Sequence, residues 1–146
     1  MQRGYTIIEL LIVMVLITII AVFVSNSFIE YKDTQVHRAA VLEVSSVLKE
    51  TKMKTVSSET DAQLGIHVST SSLVVFEGVT YNSADVTNVT FPILGATLDA
   101  TLSDSSSEVV FARLSGVPSA TGTIDVIDSK LNSTTTLTIT GSGLVE

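Results

Sequence analysis

One carboxylate in this sequence stands where carboxylates are rarely tolerated. Between Ile7 and Val24 the only clearly polar residues are Glu9 and Thr18. An ionised side chain deep in a bilayer costs about 2.5–3.5 kcal/mol even on insertion-based scales, so such residues persist where they have a task. Glu9 therefore needs a reason. The other ionisable groups are less organised toward chemistry. His37 and His67 are far apart in sequence and have no carboxylates at ligand spacing. They read as structural or surface histidines in preference to a metal or proton-relay pair. Asp99, Asp104 and Glu108 surround a serine loop and carry oxygen donors of the kind calcium takes, yet their spacing fits no defined calcium loop. Serines are abundant, but there is no Gly-x-Ser-x-Gly elbow and no histidine that can be assigned as their base. There is no phosphate-cradling glycine loop. Asn88-Val89-Thr90 and Asn132-Ser133-Thr134 match the N-glycosylation acceptor pattern. These residues predict no enzyme, no metal and no cofactor.

The run from Ile7 to Val24 is long enough to span a membrane as a helix. Arg3 and the free amine before it favour a cytoplasmic N-terminus. An alternative is a secretory signal with a weak cleavage site at Ser25-Asn26-Ser27, but that leaves Glu9 unexplained. After Val24 the pattern becomes amphipathic. Phe28, Val36, Ala40, Val44, Val47 and Leu48 fall on one helical face, with charged residues filling the rest. No proline or glycine occurs between Tyr5 and Gly65, so one helix is expected from about Tyr5 to about Val56. At 1.5 Å per residue it is a rod of roughly 80 Å. Lys49, Lys52 and Lys54 suit the negative end of its dipole and read as a solvated helix terminus.

Beyond a polar turn at Ser57–Asp61 the period shortens and Thr, Ser and Val dominate. Gln63–Val68 and Leu73–Glu77 predict a hairpin. Further strands are expected at Val86–Phe91, Thr97–Leu102, Glu108–Leu114, Thr123–Asp128 and Thr134–Thr140, with Pro92 stopping the first of these or marking an edge. The predicted fold is α+β: a long N-terminal helix packed on a mostly antiparallel β-rich head.

The chain has 146 residues, no cysteine and a net charge of −7. The charge is unevenly placed. From Thr55 onward only Arg113 and Lys130 oppose ten carboxylates, a balance of −8. Such a head has no footprint for a phosphate backbone, so general nucleic-acid binding is not expected.

Met1-Gln2-Arg3-Gly4, then an aromatic residue, then Glu9 and an aliphatic helix, resembles the N-terminus of a type IV prepilin or pseudopilin. The resemblance divides the chain into a leader at 1–4, a transmembrane or filament-core helix at 5–29, its amphipathic half at 30–57 and a head at 62–146. It implies that a membrane-embedded prepilin peptidase cuts between Gly4 and Tyr5 and methylates the new amine of Tyr5. Phenylalanine is commoner at that position. It further implies that Glu9 meets the N-terminal amine of a neighbouring subunit during assembly. Glu9 can also interact with its own helix N-terminus, where a carboxylate is favoured. In the same half Thr18 and Asn26 stand where many pilins have helix-weakening glycine or proline. The cysteine-closed loop of many major pilins is missing.

In the C-terminal half, Val109–Gly116, Ser119–Ile124 and Leu137–Gly141 loosely resemble the H-type minor pseudopilins. The implied protein is a structural subunit, a minor pilin or pseudopilin in preference to a major one, of a type IV pilus or type II secretion-like filament. Its implied partners are the prepilin peptidase, other pilin or pseudopilin subunits, the inner-membrane assembly platform and the lipid bilayer. It would begin as a single-pass inner-membrane protein with its head outside, then pass into a filament. The alternatives are a tip subunit binding DNA, a surface or a secretion substrate, or an ordinary secreted β domain.

Overall fold

The computed structural model describes residues 6–58 and 61–146. A single helix, α1 (Ile7–Ser57), is followed by seven strands: β1 (Leu64–Ser69), β2 (Ser72–Glu77), β3 (Val89–Pro92), β4 (Thr97–Leu102), β5 (Glu108–Phe111), β6 (Gly122–Asp128) and β7 (Ser133–Ile139). With no breaker inside it, α1 runs for 51 residues. Thr6 caps its start, and it stops at Ser58, which takes the left-handed conformation (φ 54°) and donates its N–H back to the carbonyls of Lys54 and Thr55. That turn satisfies carbonyls that would otherwise be orphaned at a helix C-terminus.

The strands form two antiparallel sheets, ordered β3-β2-β1-β5 and β4-β6-β7. The β1–β2 turn links them: Leu98 N–H of β4 donates to Thr70 O at 2.8 Å, and Ile93 N–H, just after β3, donates to Ser71 O of the same turn at 2.9 Å. The last residues are also tied down, because Glu146 and Thr138 exchange backbone hydrogen bonds and Val145 bridges Ile139. At Gly122 (φ 157°) the β4 backbone approaches closely: a Cβ there would collide with the Thr101 carbonyl. Only glycine fits this position.

One core serves both sheets and the second half of α1. Ala40, Val44, Val47 and Leu48 bury against Ile66, Leu73, Val109 and Phe111 of the first sheet and against Leu98, Ile124, Val126 and Leu137 of the second. Each large side chain so buried contributes about 1.5–3 kcal/mol. Thr51 and Thr55 extend the same buried face. Their hydroxyls donate to the carbonyls four residues back, Val47 and Thr51, at 2.8 and 2.9 Å. This removes the cost of burying a hydroxyl and leaves the methyl group for the core.

The predicted α+β architecture is found, with local differences. Phe28 does not join the core-facing stripe; it is 68% exposed, because the helix meets the head only from about Val36. β3 begins at Val89 and not at Val86. Asp85 accepts from the Thr87 N–H at 2.9 Å and its hydroxyl at 2.8 Å, while the Asn88 amide donates to Asn82 O, so local turns displace the strand there. β5 ends at Phe111, three residues early, because Leu114 (φ 66°) and the bond from Gly116 N–H to Ala112 O fold the chain into a turn. β3 is an edge strand, and Pro92 ends it.

Candidate assembly and processing site

Gly4 and Tyr5 lie outside the described residues, so the geometry of the site begins at Thr6. Thr6 is extended (φ −81°, ψ 152°), and its side-chain oxygen accepts the Glu9 N–H at 3.3 Å. Threonine at the cap with glutamate three positions later is the capping-box pattern, a signal available in the sequence but easily hidden by the apolar run beside it. The cap fixes the helix start at Ile7. Glu9 therefore sits in the first turn, where the helix dipole favours an anion. Its residue is exposed, and among the described residues no cation pairs with it. Thr18, the other polar residue of this half, is satisfied within the helix, donating to Met14 O at 2.8 Å. Ile7, Ile8 and Leu10–Ile17 are all about half exposed or more, so the apolar surface around Glu9 has no cover among the described residues.

The remaining candidates go to separate places. Asp99 is exposed on β4, Asp104 accepts from the Ser106 hydroxyl at 2.8 Å and its N–H at 3.1 Å, and Glu108 turns toward β1. The three calcium candidates thus do not converge. Among the described residues no group of three such side chains could hold a metal. His67 does have a carboxylate neighbour, contrary to the spacing in sequence. The β1–β5 register sets it opposite Glu108, with Nδ1 3.7 Å from Oε1. Tyr81 stacks on the imidazole at 4.2 Å between ring centres and donates its backbone N–H to Glu108 at 3.1 Å. His37 is buried in the helix–head contact, where Nε2 meets the Thr135 hydroxyl at 3.0 Å. Both histidines are structural in their surroundings. Asn88 is engaged with Asn82 O, and Asn132 is exposed at the β6–β7 turn with φ 48°.

An apolar, uncovered helix that opens with a capped, acid-bearing first turn has the form of a membrane-inserted anchor. Residues 1–25 match the family model of the prokaryotic N-terminal methylation motif, so the chain carries a prepilin-type N-terminus. Among solved structures, the chain is similar to the type IV minor pilin FimU of Pseudomonas aeruginosa (strain PAO1), with a TM-score of 0.58 and 14% identity. That match covers 75% of this chain and 90% of the FimU chain. At that identity the likeness establishes a shared fold, a long helix laid on a β head. No curated protein matches the chain.

Proposed function

We propose that this chain is a non-enzymatic filament subunit, a minor pilin or pseudopilin of a type IV pilus or type II secretion-like system. The single observation that carries the reading is the methylation motif at residues 1–25, continuous with a helix whose most apolar stretch is wholly unburied. The fold shared with a minor pilin supports it from the other end of the chain.

On this reading residues 1–4 are a leader that Arg3 holds on the cytoplasmic side, and the head lies across the membrane. A prepilin peptidase cuts between Gly4 and Tyr5 and methylates the Tyr5 amine. Residues 5–29 then leave the bilayer and enter a bundle of like helices, guided by an assembly platform, while residues 30–57 carry the head at 62–146. The cut creates an ammonium in apolar surroundings, and a buried charge is tolerable chiefly when paired. Glu9 of an adjoining subunit supplies the partner. Before assembly the same carboxylate rests against the positive end of its own helix, in the first turn that Thr6 caps. Thr6 sets the helical phase in which Glu9 projects.

The test has two parts. Intact mass and N-terminal sequencing of the mature protein should give a chain that starts at methylated Tyr5; a start at Phe28 would sink the reading in favour of an ordinary secreted domain. Glu9→Ala should leave insertion and cleavage intact and lower incorporation into filaments by about tenfold or more, the loss of at least one buried charge pair. Normal incorporation of that variant would refute the pairing.

A further inference from the structure

At the far end of α1 from Glu9 lies a groove of about 480 Å³, lined by Lys49, Lys52, Met53, Val56 and Leu144. Met53 is 65% exposed and Leu144 56%. Apolar side chains are gathered here within a rim of charge. Two lysines form the rim. Lys52 is held by donating to Ser142 O at 2.8 Å, whereas Lys54, the third lysine of this segment, pairs with Glu50 at 2.8 Å.

A face of opposite character lies on the second sheet. The β4–β6 register sets Asp99 directly across from Asp125. Leu98, Leu102, Ile124 and Val126 are buried, so by alternation both aspartates point away from the core. Like charges directly opposite one another in a sheet are destabilising. Asp125 accepts the Thr136 hydroxyl at 2.6 Å, but among the described residues neither carboxylate has a cationic partner. Ile127 and the threonines of β4 and β7 flank the pair. The helix and this sheet bury their inner faces in one core. Among the described residues neither Lys49 nor Lys52 forms an ion pair with Asp99 or Asp125.

We propose that the Lys49–Lys52–Met53 face of one copy docks on the Asp99–Asp125 face of a second copy. The inference rests on the filament reading above and specifies a head-to-head contact within it. Two different patches meet, so the contact is heterologous and joins copies that stand next to one another in the filament. The ammonium groups relieve the repulsion between the aspartates, and Met53 and Leu144 cover Ile127 and threonine methyl groups. Charge complementarity fixes the register of the two heads. The contact weakens as salt rises, since exposed charges are screened beyond about 8 Å at 0.15 M ionic strength.

The chain has no cysteine, which leaves a clean background for cross-linking. Full-length Met53→Cys and Thr101→Cys variants would be expressed together and separately, in cells that assemble the filament, and treated with a short bismaleimide. Mixed dimers should form only when both variants are present. Asp125→Lys should reduce them about tenfold, and adding Lys52→Glu to the Met53→Cys copy should restore them. Abundant dimers from Met53→Cys alone would show a two-fold contact and overturn the heterologous arrangement. Normal, Glu9-dependent incorporation without mixed dimers would overturn this contact and leave the filament reading standing. A chain neither cleaved after Gly4 nor incorporated would overturn both.

Discussion

The two halves of α1 are one uninterrupted helix with two opposite relations to the rest of the molecule. From Ile7 to Val24 every residue is exposed, and the side chains are apolar on all sides. From Ala40 to Thr55 one face, formed by Ala40, Val44, Val47, Leu48, Thr51 and Thr55, is almost fully buried, while Leu42 and Met53 stay exposed on the other side. Helix propensity does not separate the halves; the location of the burial partner does. The second half finds its partner in its own chain. The first half must find it elsewhere, because each large apolar side chain left in water forgoes about 1.5–3 kcal/mol. Lipid and then a bundle of like helices are the two covers that the proposed function supplies.

Truncating one leucine in each half tests whether the two halves are energetically separate. Leu48 has no exposed surface and touches both sheets through the shared core. Leu48→Ala should destabilise the head by about 2–5 kcal/mol, read as a lower denaturation midpoint of the full-length protein in detergent. Leu16, 54% exposed, should behave differently. Leu16→Ala should leave head stability within about 0.5 kcal/mol, because no head contact is lost. Equal effects from the two variants would mean that the halves are not energetically separate.

A smaller effect is expected where the halves join. His37 is 6% exposed and its Nε2 has one protein partner, the Thr135 hydroxyl, while its Nδ1 has none among the described residues. Thr135→Val keeps the shape and removes the hydroxyl. Leaving a buried imidazole wholly unpaired should cost about 1–3 kcal/mol of head stability by denaturant unfolding. An unchanged midpoint would show that water already serves this nitrogen, and that the lower edge of the helix–head contact is wetter than its burial implies.

What the sequence discloses follows the same division. The N-terminal half and its acid are legible because their signal is local: a run without breakers, one carboxylate, one glycine before an aromatic residue. The β1–β2 hairpin and strands β4, β6 and β7 are legible because two-residue alternation and turn residues lie close together. The partition into two sheets is not, since β1 pairs with β5 across some forty intervening residues. The same long-range pairing brings Glu108 to His67, which spacing alone places far from any carboxylate. Phe28 is misread because the helical pattern continues below the level where the head ends. Val86–Asn88 is misread because Asp85 and Asn82 bind the local backbone more effectively than a strand ladder would. The pairing proposed for Glu9 lies between molecules, so only the acid and its position can appear in one chain.

The smallest effect should come from charge on the head surface, and it sharpens the contrast with Glu9 by showing what an ordinary solvated acid does. The hydroxyl and then the N–H of Ser106 hold the Asp104 carboxyl below its usual 3.8. Thr87 lowers Asp85 in the same way, through its backbone N–H and then its hydroxyl. A carboxyl whose folded-state pKa is depressed stabilises the fold above its unfolded value, and that contribution disappears as pH falls through the folded one. Asp104→Asn keeps an oxygen that can accept from Ser106 but has no proton to gain. Its midpoint should therefore lie slightly below that of the parent at neutral pH, and the two should converge as the pH is taken well under 3.8. Both groups are fully exposed, so the gap should shrink further in high salt. A gap that persists unchanged through the acid range would assign the effect to the geometry of the 104–106 turn, and not to its charge.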